Sequence, residues 1–128
     1  MRMNSSEQAL LFQGQRQRLL ARYGHLAARV WQESRLEDRV PVGGSSVFWL
    51  ELVEACRHEQ VQHLDDLLLR RTRLGNILPK GAAAWLPEVG ERCRTVLGWS
   101  AVRWQGECER YLALIARCYG LPQKDLGR

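Results

Sequence analysis

This sequence predicts an all-α fold, a compact bundle of five to seven helices with no sheet, and three observations lead there. No stretch alternates apolar and polar residues as a half-buried strand would. Apolar residues instead recur at helical spacing, most plainly at Trp104, Cys108, Tyr111, Leu112, Ile115 and Tyr119. These runs are punctuated by serines suited to helix starts and by glycines and prolines suited to helix ends. At 128 residues the chain is one domain's worth, long enough to bury a core without staples. With 45% hydrophobic and 26% charged residues it has the composition of a folded protein rather than a disordered one.

The first helix is expected over about residues 6–23, entered from Ser5 and Ser6, edged by Leu19, Leu20 and Tyr23, and closed by Gly24. A short second helix over 25–36 carries Leu26, Val30 and Trp31. EDRVPVGGSSV, residues 37–47, is the clearest loop, because its proline, paired glycines and serines all favour turns. From Val47 to about Gln62 a third helix presents Phe48, Leu52, Ala55, Cys56 and Glu59 along one side. HLDDLLLRRTRLG, residues 63–75, follows as a helix of two or three turns. Its acids, Asp65 and Asp66, stand in the first turn and Arg70, Arg71 and Arg73 in the last, as the helix dipole favours. Gly75 is its expected stop.

ILPKG is a turn, and the next helix runs from 82 or 87 to 96, with Pro87 in its first turn and Gly98 at its end. The last helix is capped by Ser100 and closed by Gly120 and Pro122. Its Trp104, Cys108, Leu112 and Ile115 edge is expected to pack on the helix holding Leu52 and Cys56. Gly90 and Gly106 lie inside helices, where each costs about 1 kcal/mol against alanine. Close packing is the expected reason for both.

Several function classes lose support at this level. The apolar runs fall far short of the roughly 20 residues of a membrane span, and the amino terminus lacks the apolar stretch of a signal peptide. A cytoplasmic location is expected. Cys56, Cys93, Cys108 and Cys118 lie 37, 15 and 10 residues apart, without the close pairs of zinc or dithiol sites, so buried free thiols are expected. HEQVQH, His58 to His63, misses the zinc-protease signature H-E-x-x-H by one residue. Ligands five apart diverge by about 140° around a helix, and no metal is expected. No glycine-rich phosphate cradle or nucleophile elbow occurs, and no catalytic residue is assigned.

The net charge of +5 rests on 17 arginines against two lysines. A small arginine-rich helical nucleic-acid binder is therefore the rival reading. Its weakness is that the arginines run from Arg2 to Arg128 among 14 acids, with no basic face apparent. In residues 64–75 the leucines wrap most of a short helix, so some charge must lie near apolar surface. Asp66, Arg70 and Arg71 are expected to form a partly buried network, structural or docking in role, with Glu59 or Glu107 as the outside carboxylate.

HLDDLLLRRTRLG, Glu59, the LGW of 97–99, Glu107 and Tyr111 in the last helix, and RLLARYG at 18–24 together resemble the C-terminal helical domain of FAD-dependent, aerobic glycerol-3-phosphate dehydrogenases. The resemblance covers about residues 16–122, with 1–15 an unassigned leader or linker remnant and 123–128 a tail. It implies a helical cap attached after an FAD-binding body that oxidises glycerol 3-phosphate to dihydroxyacetone phosphate and passes electrons to a membrane quinone. The flavin and substrate residues belong to that body, so no cofactor is expected in this chain and no activity from it alone. Its expected partner is the FAD-binding body, with self-association left open and membrane contact only through the parent enzyme. Ser100 stands where the family often has an acid after the GW pair, and Asn76 enters a more apolar stretch. Whether the chain is a fragment of the dehydrogenase or a free-standing relative of its cap stays open at this level.

Overall fold

The structure, a computed structural model, describes residues 17–119, the side chain of Tyr119 excepted. Among these residues it contains six α-helices and no strand; an isolated bridge joins Pro41 and Phe48. The expected all-α class holds. The chain divides into two units at Val40 and Pro41. The Ser5 and Ser6 helix start and the Gly120 and Pro122 helix end lie outside the described residues.

The first unit holds α1, residues 17–23, a tight turn Gly24–Leu26 and α2, Ala27–Glu33. Gly24 takes a φ of 60°, the left-handed conformation expected of a helix stop. Helix α2 ends three residues before the expected 36 because Ser34 turns to extended backbone. The reason is Arg39, which follows a further turn, Leu36–Asp38. Its guanidinium donates to the carbonyls of Trp31 at 2.6 Å and Gln32 at 3.2 Å and lies 5.0 Å from the Trp31 ring. Arg39 thereby occupies carbonyls that a longer helix would have bonded itself.

In the second unit, α3 spans Trp49–His58, shorter than the expected 47–62. Its start is fixed by Glu51, whose buried carboxylate accepts the Phe48 N–H at 2.8 Å. Residues 66–71 wind with the wider i→i+5 bonding of a π-helix, and the Thr72 N–H reaches the Leu67 carbonyl at 3.1 Å. The Thr72 hydroxyl donates to the same carbonyl at 2.7 Å. Gly75 does not stop this segment. Arg73, with φ 59°, makes the left-handed turn, and Gly75 lies inside α4, Leu74–Ile77. A Cβ on Gly75 would overlap the Tyr111 hydroxyl, so this glycine provides room rather than a turn.

After the tight-turned segment Pro79–Trp85 come α5, Leu86–Leu97, and α6, Ala101–Tyr119. Pro87 stands at the start of α5 and Gly98, with φ 74°, ends it. Ser100 Oγ accepts the Arg103 N–H at 3.1 Å, as its cap role requires. The principal neighbours of α6 are α5 and residues 79–85, while α3 packs chiefly on α5; the expected seating of α6 on α3 is corrected accordingly. Gly90 explains the choice: a Cβ there would come within 2.7 Å of the Trp104 ring, so its absence lets the indole lie on α5. Gly106 differs, having nothing within 4 Å of its missing Cβ.

Candidate functional site

The opening of the 63–75 segment and the outer flank of α6 meet in a cluster of charged groups. Asp65 is its centre. The carboxylate, with 5% of its side chain exposed, accepts Arg110 Nη1 on Oδ1 at 2.5 Å and Arg70 Nη1 on Oδ2 at 2.8 Å. The same Arg70 nitrogen reaches Asp66 Oδ1 at 2.7 Å. Asp66 Oδ2 accepts the backbone N–H groups of His63 at 2.9 Å and Gln62 at 3.0 Å, closing the turn that starts the segment. Acids are thus held beneath, and the cations lie over them with Arg70 65% and Arg110 49% exposed.

Glu107, one turn before Arg110 on α6, fastens the same turn from the other side. Its Oε1 accepts the Leu64 N–H at 3.0 Å and its Oε2 lies 2.9 Å from His63 Nδ1. Arg103 continues the array: it donates to the Gln62 carbonyl at 2.7 Å, stands 4.0 Å from Glu107 and stacks 4.4 Å from the centre of the Trp99 ring. Helix α6 therefore clasps residues 62–65 with three consecutive turns of side chains.

The electrostatics follow from this geometry. Burial pushes the Asp65 carboxyl up, but the hydrogen bonds and charges of Arg110 and Arg70 outweigh it and hold the group below the usual carboxylate range. Asp66 is likewise lowered, burial being overcome by the His63 and Gln62 amides and by Arg70. The Arg70 and Arg110 guanidiniums are raised, each chiefly by its hydrogen bond to Asp65. Both pairs are ionised at neutral pH.

Of the residues expected in a network, Asp66 and Arg70 are paired directly, and Glu107 lies on the same turn through His63 and Leu64. Glu59 is half-buried and Arg71 exposed, and both have partners. Asp65 and Arg110 were missed. The only sequence signal for the first was its place beside Asp66, and Arg110 is 45 residues away. The arginines of this cluster are tied to carboxylates, which is poor material for a phosphate-binding stripe.

The remaining candidates carry less. His58 pairs with Glu54 at 3.3 Å and His63 with Glu107, so the two histidines of HEQVQH face different partners. Among the described residues no group of three or more His, Cys, Asp or Glu could hold a metal ion, and no helix is long and apolar enough to cross a membrane. The four cysteines are free, but only Cys93 is buried; Cys56 and Cys108 are half-buried and Cys118 exposed, which corrects the expectation of four buried thiols.

The family model for the C-terminal domain of alpha-glycerophosphate oxidase matches residues 1–104, taking in the first fifteen residues and ending inside α6. No curated protein and no solved structure matches the chain. The family match covers most of the sequence, including the acid, leucine and arginine segment on which the cluster is built, and this chain belongs to the family of C-terminal domains of alpha-glycerophosphate oxidase.

Proposed function

We infer that the chain is the helical cap of an FAD-dependent, cytoplasmic enzyme that oxidises glycerol 3-phosphate to dihydroxyacetone phosphate, and that it acts by structure and contact rather than by chemistry. One observation carries this reading. Among the described residues, every buried side-chain nitrogen or oxygen already has a hydrogen-bond partner within the domain. Of the four buried acids among these residues, Asp65, Glu107 and Glu51 are committed to arginines or backbone amides, and Asp38 also has a partner within the chain. A general acid or base needs a proton or lone pair open to substrate, and these groups are instead engaged within the domain.

The flavin of the body would supply the acceptor for the hydride leaving the alcohol carbon, the hydroxyl proton would go to a base of that same body, and a quinone would be the final acceptor of the two electrons. That flavin is assigned to the body rather than to this chain. A pyrophosphate needs a glycine turn at a helix amino terminus, and no such motif occurs in the sequence. What the chain offers the body is the guanidinium layer of Arg70 and Arg110 with Arg71 beside it, since arginine forks suit interface carboxylates.

The test uses the separately produced FAD-binding body, assayed for glycerol 3-phosphate-dependent reduction of a quinone analogue with and without this chain. The chain alone is expected to be colourless and inactive, and its addition to raise the thermal stability or flavin retention of the body. A chain that is yellow, or that reduces the analogue alone, refutes the reading.

A further inference from the structure

Arg70 bonds two neighbouring acids at once, Asp66, four residues back, at 2.7 Å and Asp65, five back, at 2.8 Å. An α-helix does not offer both contacts, because residues five apart diverge by about 140° around its axis. The wider winding of residues 66–71, bonded i→i+5, brings Asp65 and Asp66 to either side of Arg70. The buried acid of the cluster therefore gains one of its two guanidiniums through the register of the segment.

The groups that hold this register surround Thr72. Its N–H passes over the Leu68 carbonyl, the α-helical acceptor four residues back, and bonds that of Leu67 at 3.1 Å. The buried Thr72 hydroxyl donates to the same Leu67 carbonyl at 2.7 Å and accepts the Leu74 N–H at 3.4 Å. Leu67 thus receives two bonds from one residue, and the second exists only because residue 72 carries a hydroxyl. Gly75 leaves room for the last turn of the segment: a Cβ there would stand 2.8 Å from Leu69 Cδ2 and 3.3 Å from the Leu68 carbonyl oxygen. Against the register works Arg73, which leaves the segment with φ 59°, a left-handed backbone that a non-glycine residue adopts only at a cost.

We propose that residues 66–71 are a two-register element and that the Thr72 hydroxyl is its catch, holding the i→i+5 winding that keeps Arg70 on Asp65. Without the hydroxyl the Thr72 N–H returns to the Leu68 carbonyl, and the segment closes as an ordinary α-helix. The residue given up by the narrower winding passes into the Arg73 turn and relaxes it. Arg70 then stays with Asp66 alone. Arg110 reaches Asp65 from α6, so its bond does not depend on the register. The catch therefore decides whether Asp65 is held by two guanidiniums or one, and it does so without undoing the grip of α6 on residues 62–65.

Titration of the Asp65 carboxyl by NMR, on the full chain, reads the device. Arg110 and Arg70 together hold this carboxyl below the usual range, so Arg70→Ala should raise its midpoint. Thr72→Val, which keeps the shape and removes the hydroxyl, should raise it by a similar shift, and Arg70→Ala added to Thr72→Val should raise it no further. Thr72→Ser, which keeps the hydroxyl, should titrate as the wild type. An unshifted midpoint in folded Thr72→Val, or a full further shift on adding Arg70→Ala, overturns the proposal, and so does a Thr72→Ser shift as large as that of Thr72→Val. The wild type gives a test even if Thr72→Val does not fold. Scalar coupling across the hydrogen bond should join the Thr72 nitrogen to the Leu67 carbonyl carbon, and coupling to that of Leu68 instead would show an α-helix and overturn the proposal.

Discussion

The phenol of Tyr111 donates to the Gly81 carbonyl at 2.8 Å and joins the middle of α6 to a turn in which Lys80, Gly81 and Ala82 all have positive φ. Two of the three are not glycine, and left-handed backbone costs such residues roughly 1–2 kcal/mol each. The turn persists because neighbours hold it: Tyr111 is fully buried, and a Cβ on Gly81 would come within 2.7 Å of Ile115. Tyr111→Phe should leave the Gly81 carbonyl short of its partner and destabilise by about 1–3 kcal/mol. Thermal melts check this, and an unchanged melting temperature would mean that the turn holds itself.

Gly75→Ala should be at least as damaging, because the new methyl would collide with the same Tyr111 hydroxyl. Combined with Tyr111→Phe it should cost less than the sum of the two, since removing the hydroxyl makes room for the methyl. A double-mutant cycle by urea unfolding measures the coupling. Additive losses would show that Gly75 is needed for some other contact.

Acid should unfold the domain partly through Asp65 and Asp66. Their folded values lie below the roughly 3.9 of an unfolded aspartate. Their contribution is therefore complete above about pH 4 and is lost as the pH falls through the folded values. Urea midpoints at pH 7 and pH 3 should differ less for Asp65→Asn than for the wild type. At pH 7 the substitution should cost about 1.5–3 kcal/mol, the range for hydrogen bonds to charged groups. It stops there because water can solvate the two exposed arginines it releases.

Arg70→Ala and Arg110→Ala should each lower the melting temperature modestly, since Asp65 keeps the other guanidinium. The double variant should lose more than the sum, because a buried carboxylate then has no cation. Arg71→Ala tests the neighbouring position: Arg71 is exposed and has a partner within the chain. If Arg71→Ala spares the isolated chain but weakens the assembled enzyme, that arginine docks.

Alkylation should rank the thiols. Cys108 is pushed up to about 11 by burial first and then by Glu107 and Glu109, so its thiolate is scarce at pH 8. Cys118, which is exposed, should react with iodoacetamide well before it, and the buried Cys93 last. Mass spectrometry of timed samples reads the order; faster labelling of Cys108 than of Cys118 would contradict the charge and burial argued for it.

The sequence by itself determined the all-helical class, the Gly24 and Gly98 stops, the Ser100 cap and the periodic face of α6, because each depends on residues within a turn or two of one another. Apolar spacing, a hydroxyl at a helix start and a glycine at its end act locally, and local physics can be read along the chain. It also determined the family, through the order of acids, leucines and arginines in residues 63–75. Only the tertiary structure decided that Arg73 rather than Gly75 turns left-handed, that Gly90 admits Trp104, and that Asp65 rather than Asp66 is the buried acid clasped by two arginines. Those outcomes depend on partners 14 to 45 residues away, as Trp104 is from Gly90 and Arg110 from Asp65. A glycine has the same letter whether its backbone must turn or its missing Cβ must yield space, and adjacent aspartates differ only in what folds over them.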